Sequence, residues 1–369
     1  MKRSHQLVIA TLAFASACAG AGSPSSAPAP AGTSPAGAPS SPVQVTWRTR
    51  TAEHLDVWLH SYALITPDTT LVPYFRRGYR SRIDPLRKQK GTTLIDANRD
   101  RLLAGVTANP SLATSGQFLP LYFESYEQMR QVVDLFVRNN GNPGNSQDPN
   151  IRMFFAILGS AFQTASDRDW LRTFSAAVDD ESRKFYHDYW TSEMRSRAPE
   201  LAHVDSLWQR TWRPSLQRFL NNTQQQNGEL YLSLPLGGEG RTIHFAKTQN
   251  AVAGPFPETE SESEHVLYVM AHEITGQIAS TVIADNTTPA DQRAGLTSRY
   301  EQAAAVRAGA MLLEKAIPSA VAGYMRYYLQ QAGRTPPADP RAMFTSTFAV
   351  TDSIRDAIAR QLDVVLGGI

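Results

Sequence analysis

Apolar residues recur at helical spacing in the stretch after Pro257, and this pattern predicts a buried helix. The stripe consists of Leu267, Met270, Ile274 and Ile278. Residues three and four apart share one face of a helix, so this face should pack on a core. The sequence predicts that the helix begins at Ser261, with Glu264 completing a capping box. Gly276 lies in mid-helix, where glycine costs about 1 kcal/mol relative to alanine. We therefore expect a partner helix with small residues to approach closely there.

The same helix carries His272 and Glu273 side by side. In the pattern His-Glu-x-x-His, two histidines four residues apart bind Zn²⁺ and the glutamate activates the metal-bound water. Here the position four after His272 is Gly276, which has no side chain to offer a metal. His272 is therefore a candidate metal ligand and Glu273 a candidate general base. The plainer alternatives are a hydrogen-bonded core histidine and an ion pair of Glu273 with Arg307.

No other residue nearby is a convincing replacement for the missing ligand. His265 lies two turns before His272, about 10 Å along the helix axis. His244 lies on a predicted strand whose register the sequence leaves open. Gln277 is rotated by about 100° from the required position.

The order of the surrounding segments extends the pattern. Strands are predicted at 230–234, 242–246 and 251–253, with a turn at 237–240, and a second helix at 300–315 follows the first. Small strands, a His-Glu helix, a loop and a glutamate-bearing helix resemble the gluzincin group of zincin metallopeptidases, over roughly residues 228 to 330. The resemblance implies an α+β fold, mostly helical, with a zincin-like core and a small sheet preceding the His-Glu helix.

The resemblance also assigns functional residues. It implies that Glu301, followed by Gln302-Ala303-Ala304-Ala305, is a metal ligand together with His272, that Glu273 is the base, and that zinc is the cofactor. Gluzincins commonly place a Tyr or His downstream to donate to the oxyanion, and three tyrosines occur there, although core packing explains them as well. They are Tyr324, Tyr327 and Tyr328.

The N-terminus predicts export. Lys2 and Arg3 precede an apolar run at 7–15 and then Ala-Ser-Ala-Cys, with Cys18 the only cysteine of the chain. The segment resembles a bacterial lipobox with Ala15 in place of the usual leucine, which implies a lipoprotein signal peptide at 1–18 and a lipid on Cys18. Ordinary signal-peptide cleavage after Ala17 is the alternative.

Composition then divides the rest of the chain. Residues 19–43 are nearly all Ala, Gly, Ser, Pro and Thr, which predicts a flexible tether. We expect a helical lobe at 44–227 and a zincin-like lobe at 228–369.

A basic cluster between Arg76 and Lys90 is either a solvated helix face or a surface that attracts anionic lipid headgroups. The net charge of +2 argues against nucleic acid as the main partner.

Together these features predict an exported protein of the bacterial cell envelope, anchored to the membrane by its N-terminal lipid. Because one ligand is missing, the first hypothesis is a degenerate metallopeptidase with weak or no metal-dependent hydrolysis. One alternative is a non-catalytic lipoprotein that binds a peptide or protein or serves as a scaffold. The other is an active zinc peptidase with an unusual ligand set.

Overall fold

The computed structural model describes residues 46–66, 70–144, 146–245 and 249–367. The chain is mostly helical, at 69%, with a small mixed four-stranded sheet, so the α+β class is confirmed. The predicted signal peptide, Cys18 and the tether at 19–43 lie outside the described residues. None of the described helices has the length and apolarity of a membrane span.

The sheet has the order β1-β2-β4-β3. Its strands are β1 Thr46–Arg50, β2 Asn227–Ser233, β3 Arg241–His244 and β4 Gln249–Pro255. Strands β1, β2 and β4 run parallel, while β3 is antiparallel to β4 at the edge, with Arg241 opposite Ala253. The three strands predicted from sequence are present, and β1 is an additional strand. The predicted lobes meet in this sheet, because β1 comes from the range 44–227 and the other strands, apart from the first residue of β2, come from 228–369.

Ten α-helices lie between β1 and β2 in the described residues. They are α1 Glu53–Ile65, α2 Tyr79–Lys88, α3 Leu94–Ala108, α4 Ser111–Thr114, α5 Tyr126–Arg138, α6 Pro149–Ala161, α7 Ala165–Glu181, α8 His187–Ser196, α9 Ala198–Leu207 and α10 Arg213–Asn222. Single π-helical turns at Ser182–Tyr186 and Trp208–Trp212 join α7 to α8 and α9 to α10.

Six α-helices follow the sheet in the part of the chain that the structure describes. They are α11 Ser263–Asn286, α12 Pro289–Arg293, α13 Leu296–Ala316, α14 Val321–Gln331, α15 Arg341–Thr347 and α16 Asp352–Gly367. Helix α11 is the predicted His-Glu helix, and its most extensive helix contact is with α13. The predicted capping box is wrong. Glu262 is the N-cap residue, its side chain makes no capping hydrogen bond, and Glu264 accepts a hydrogen bond from the Tyr268 hydroxyl instead.

The core consists of two hydrophobic clusters, one on each face of the sheet. Side chains alternate between the faces of a strand, and Leu230 and Leu232 of β2 accordingly lie in the cluster that contains α11 and α13. Tyr231, between them, belongs to the cluster that contains α1 and α7. Helix α10 contributes Leu216 and Phe219 to the α11 side. Helices therefore cover both faces of the sheet, and α11 packs against β4 and β3.

Candidate functional site

A glycine-rich turn between β2 and β3 brings Glu239 to the His-Glu helix. Gly240 is required there, because a Cβ on it would lie 2.2 Å from the Ala253 carbonyl oxygen. A Cβ on Gly238 would lie 2.7 Å from Val72. The Tyr327 hydroxyl donates a hydrogen bond of 3.0 Å to the Gly237 carbonyl oxygen, which ties the turn to α14. The close packing fixes the backbone on both sides of Glu239.

His272 points its Nε2 atom at this turn. Nε2 lies 3.0 Å from Oε2 of Glu239 and 3.6 Å from Oε1 of Glu273. The side chain of His272 is 4% exposed, that of Glu273 10% and that of Glu239 14%. The three groups therefore form a nearly closed cluster of one imidazole and two carboxylates.

Both oxygens of Glu273 are engaged with the edge of the sheet. Oε1 accepts a hydrogen bond of 3.3 Å from the backbone N–H of Gly240, and Oε2 accepts one of 3.2 Å from the hydroxyl of Thr242. The alternative pairing with Arg307 is wrong, because the Arg307 guanidinium donates to the hydroxyl of Thr345. Glu273 is thus held as a hydrogen-bonded acceptor between α11 and β3.

The electrostatics of the cluster favour a proton on His272. Burial lowers the pKa of an imidazole, but the Glu239 carboxylate outweighs this effect, and together with Glu273 and the Ala305 carbonyl it raises the pKa of His272 to about 9. Burial and the nearby Glu239 carboxylate raise the pKa of Glu273, against the opposing effect of His272. At neutral pH a metal ion would compete with a proton for Nε2, which weakens metal binding.

Glu301 does not join this cluster, although it was the ligand implied by the resemblance. It is exposed on α13. A Cβ on Gly309 would lie 3.2 Å from Cα of His272, and the Ala305 carbonyl acts on the imidazole, so α13 meets His272 in the turn from 305 to 309. Glu301 precedes that turn by four to eight residues, about 6 to 12 Å along the helix.

The two glycines of the helix pair differ in their roles. Gly309 allows the close approach that the sequence predicts, since a Cβ there would also lie 2.2 Å from the Tyr324 hydroxyl. At Gly276 a Cβ would meet no atom of the described residues within 4 Å. The expectation that close packing compensates for Gly276 is therefore wrong, because the space beside it is open.

The remaining candidate side chains have other partners. The hydroxyl of Tyr324 donates to the Val306 carbonyl oxygen at 2.9 Å, and the ring of Tyr328 packs 5.4 Å from the imidazole of His272. The ring of His265 stacks on Tyr327 at 4.7 Å, and Nδ1 of His244 pairs with Asn250. The tyrosines therefore pack the core around α11, and neither histidine reaches His272.

The zinc site implied by the resemblance does not fit these residues. Position 276 offers no side chain, Glu301 lies apart, and Nε2 of His272 faces a carboxylate. A different donor set is present, because ligand atoms of Glu239, His272 and Glu273 all lie within 4.8 Å of one another. With Glu273 as a ligand, however, no glutamate at this position would remain free to act as the base.

Glu239 and Thr242 are the site residues that sequence reasoning missed. The segment Gly237-Gly238-Glu239-Gly240 was interpreted only as a turn. A single carboxylate between glycines, directly before the strand that precedes a His-Glu helix, was the available signal. The position of this carboxylate beside His272 depends on the antiparallel pairing of β3 with β4, which brings the turn back over α11.

Comparison with known proteins adds no relative. No protein-family model, no curated protein and no solved structure matches the chain.

Proposed function

We propose that this chain is an exported, zincin-like protein whose former catalytic site has become a closed charge cluster. It has weak or no metal-dependent hydrolysis and acts in the cell envelope by binding a peptide or protein. The observation that carries the proposal is the position of Glu273. Both of its oxygens accept hydrogen bonds from β3 and the turn before it, and its side chain is 10% exposed. A general base must reach the water from which it takes a proton, and this carboxylate is held away from solvent.

The zincin-like core rests on the order and packing of the elements. A small mixed sheet precedes α11, and α11 packs against both the sheet and α13. Export and the lipid on Cys18 rest on the charged start, the apolar run and the small residues before the cysteine.

An assay of peptide hydrolysis tests the proposal. The full chain, supplied with Zn²⁺, is incubated with a mixed peptide library and compared with a Glu273→Gln variant, which keeps the shape of the side chain but removes its charge. We expect the same background for both proteins. Hydrolysis that needs zinc and falls by 100-fold or more in the variant would show an active peptidase.

The second candidate is a metal-binding protein with an unusual ligand set, and the convergence of Glu239, His272 and Glu273 favours it. Two carboxylates and an imidazole suit a borderline divalent cation such as Zn²⁺ or Mn²⁺. Glu239→Gln distinguishes the candidates: it should weaken metal binding if Glu239 is a ligand. In a metal-free cluster the same change lowers the pKa of His272, because it removes the main charge that raises it.

A further inference from the structure

A second cluster of charged side chains lies far along the chain from α11, between α2 and α3. These helices border a cavity of about 330 Å³, at the lower end of the range of small-molecule pockets. Its lining includes four basic side chains, Arg80, Arg87, Lys88 and Arg99, and two acidic ones, Asp84 and Asp96. The cavity therefore carries an excess of positive charge.

Both acidic side chains of the cavity are engaged by Arg87. Its guanidinium lies 3.1 Å from Asp96 and 3.8 Å from Asp84, and it also binds the buried Glu181 at 2.7 Å. Glu181 further accepts a hydrogen bond from Thr93 at 2.7 Å. Arg87 thus faces three carboxylates and is fixed as part of the wall.

Among the described residues, the other three basic side chains of the cavity form no ion pair. Within the described ranges Arg80, Lys88 and Arg99 have neither an ion pair nor a side-chain hydrogen bond. The Nε atoms of Arg80 and Arg99 are buried without a hydrogen-bond partner. Burial and then the charge of Arg99 lower the pKa of Arg80, against the smaller opposing effect of Asp84, so the two guanidinium groups repel one another. Folding has brought like charges together beside a cavity.

We propose that this cavity binds a phosphate-type oxyanion through Arg80, Lys88 and Arg99. The planar fork of a guanidinium matches phosphate oxygens in two parallel hydrogen bonds, and a lysine adds a point charge. Three cations that form no ion pair among the described residues can each donate to a different oxygen of a phosphate, which offers more acceptor oxygens than a carboxylate. The phosphate belongs either to a soluble molecule or to a lipid headgroup of the membrane to which the predicted anchor would hold the chain.

Thermal unfolding in different anions tests the site. The full chain carries Cys18→Ser, which removes the predicted lipidation site, and is melted in chloride, acetate or inorganic phosphate at equal ionic strength. Phosphate should raise the melting temperature by at least about 3 °C relative to the other two anions. The double variant R80Q/R99Q should lose this response. In chloride it should melt no lower than the parent, because a repulsive pair has been removed.

The matched control is R101Q/R130Q, which removes the same charge from exposed ion pairs with Asp169 and Glu127. It should keep the full response to phosphate. If R80Q/R99Q does not fold, the single variant R99Q should still reduce the response by half or more. No response to phosphate, an equal response to acetate, or an equal loss in the control would each overturn the proposal.

Sedimentation with vesicles identifies the source of the phosphate. Vesicles of phosphatidylglycerol in phosphatidylcholine are compared with phosphatidylcholine alone. Binding to the anionic vesicles that is lost in R80Q/R99Q and kept in the control assigns the site to a lipid headgroup. A response to inorganic phosphate without vesicle binding assigns it to a soluble phosphate-bearing molecule.

Discussion

Single residues decide whether the His-Glu helix can be catalytic. His272 and Glu273 are present, but their hydrogen-bond partners are carboxylate, hydroxyl and backbone groups of the neighbouring sheet edge. With glycine at position 276, the second histidine that would bind a metal together with His272 is missing. His272 and Glu273 thus match the residue types of a catalytic motif, but their contacts are those of residues that stabilise the fold.

Two glycines near the cluster should respond in opposite ways to substitution by alanine. Gly276→Ala should raise the free energy of unfolding by about 1 kcal/mol, because alanine is the better helix former and its Cβ enters open space. Gly240→Ala should lower it by about 2 kcal/mol or more, because its Cβ would overlap the Ala253 carbonyl oxygen. Urea denaturation measures both changes. A destabilising Gly276→Ala would show that the space beside it is filled in solution.

At the scale of elements, helix pairing and most strands were predictable, and the position of the ligands was not. Apolar periodicity located α11, and the helix predicted at 300–315 corresponds to its partner α13. The distance between Glu301 and His272 depends on which turn of α13 meets α11. The helical pattern is the same at every turn, so the sequence does not reveal which turn makes this contact. Strand β1 was missed because a five-residue edge strand with one buried tryptophan has little pattern to detect.

Helices α1 and α8 and the end of β2 are joined by one buried carboxylate. Asp56 of α1 is fully buried and accepts a hydrogen bond of 2.9 Å from the indole N–H of Trp190 on α8. It also faces the backbone N–H of Leu234, just after β2, at 3.5 Å. Burial raises the pKa of Asp56 from 3.8 to about 7. The carboxyl is therefore protonated in the folded chain over a pH range in which the unfolded chain ionises it.

This shift predicts how stability depends on pH. A pKa raised on folding contributes stability that is fully present below the unfolded value and is lost as the pH rises through the folded value. Asp56→Asn should therefore gain about 3 kcal/mol in free energy of unfolding relative to the wild type between pH 5 and pH 8. Denaturant titrations at both pH values test this. Asp188→Asn, whose carboxylate is 77% exposed, is the control and should show no such trend.

The molecule as a whole combines two sites of opposite character. The α11 cluster has an excess of carboxylates and is nearly closed, whereas the α2–α3 cavity is lined by basic side chains that form no ion pair within the described part of the chain. The sequence indicated the α11 cluster through its His-Glu motif. It indicated the α2–α3 cavity only as a basic cluster between Arg76 and Lys90. Which of those basic residues are neutralised depends on partners distant in sequence, such as Glu181, and periodicity does not reveal such contacts.

Zinc content tests the central claim most directly. The purified full chain is incubated with excess Zn²⁺ at pH 7, dialysed, and analysed for metal beside His272→Asn and Gly276→His. We predict well under one zinc per chain for the wild type and for His272→Asn, because a proton and Glu239 occupy Nε2 and one ligand is absent. Gly276→His, which has open space for the new imidazole, should retain more zinc. One tightly held zinc per wild-type chain that is lost in His272→Asn would contradict the account.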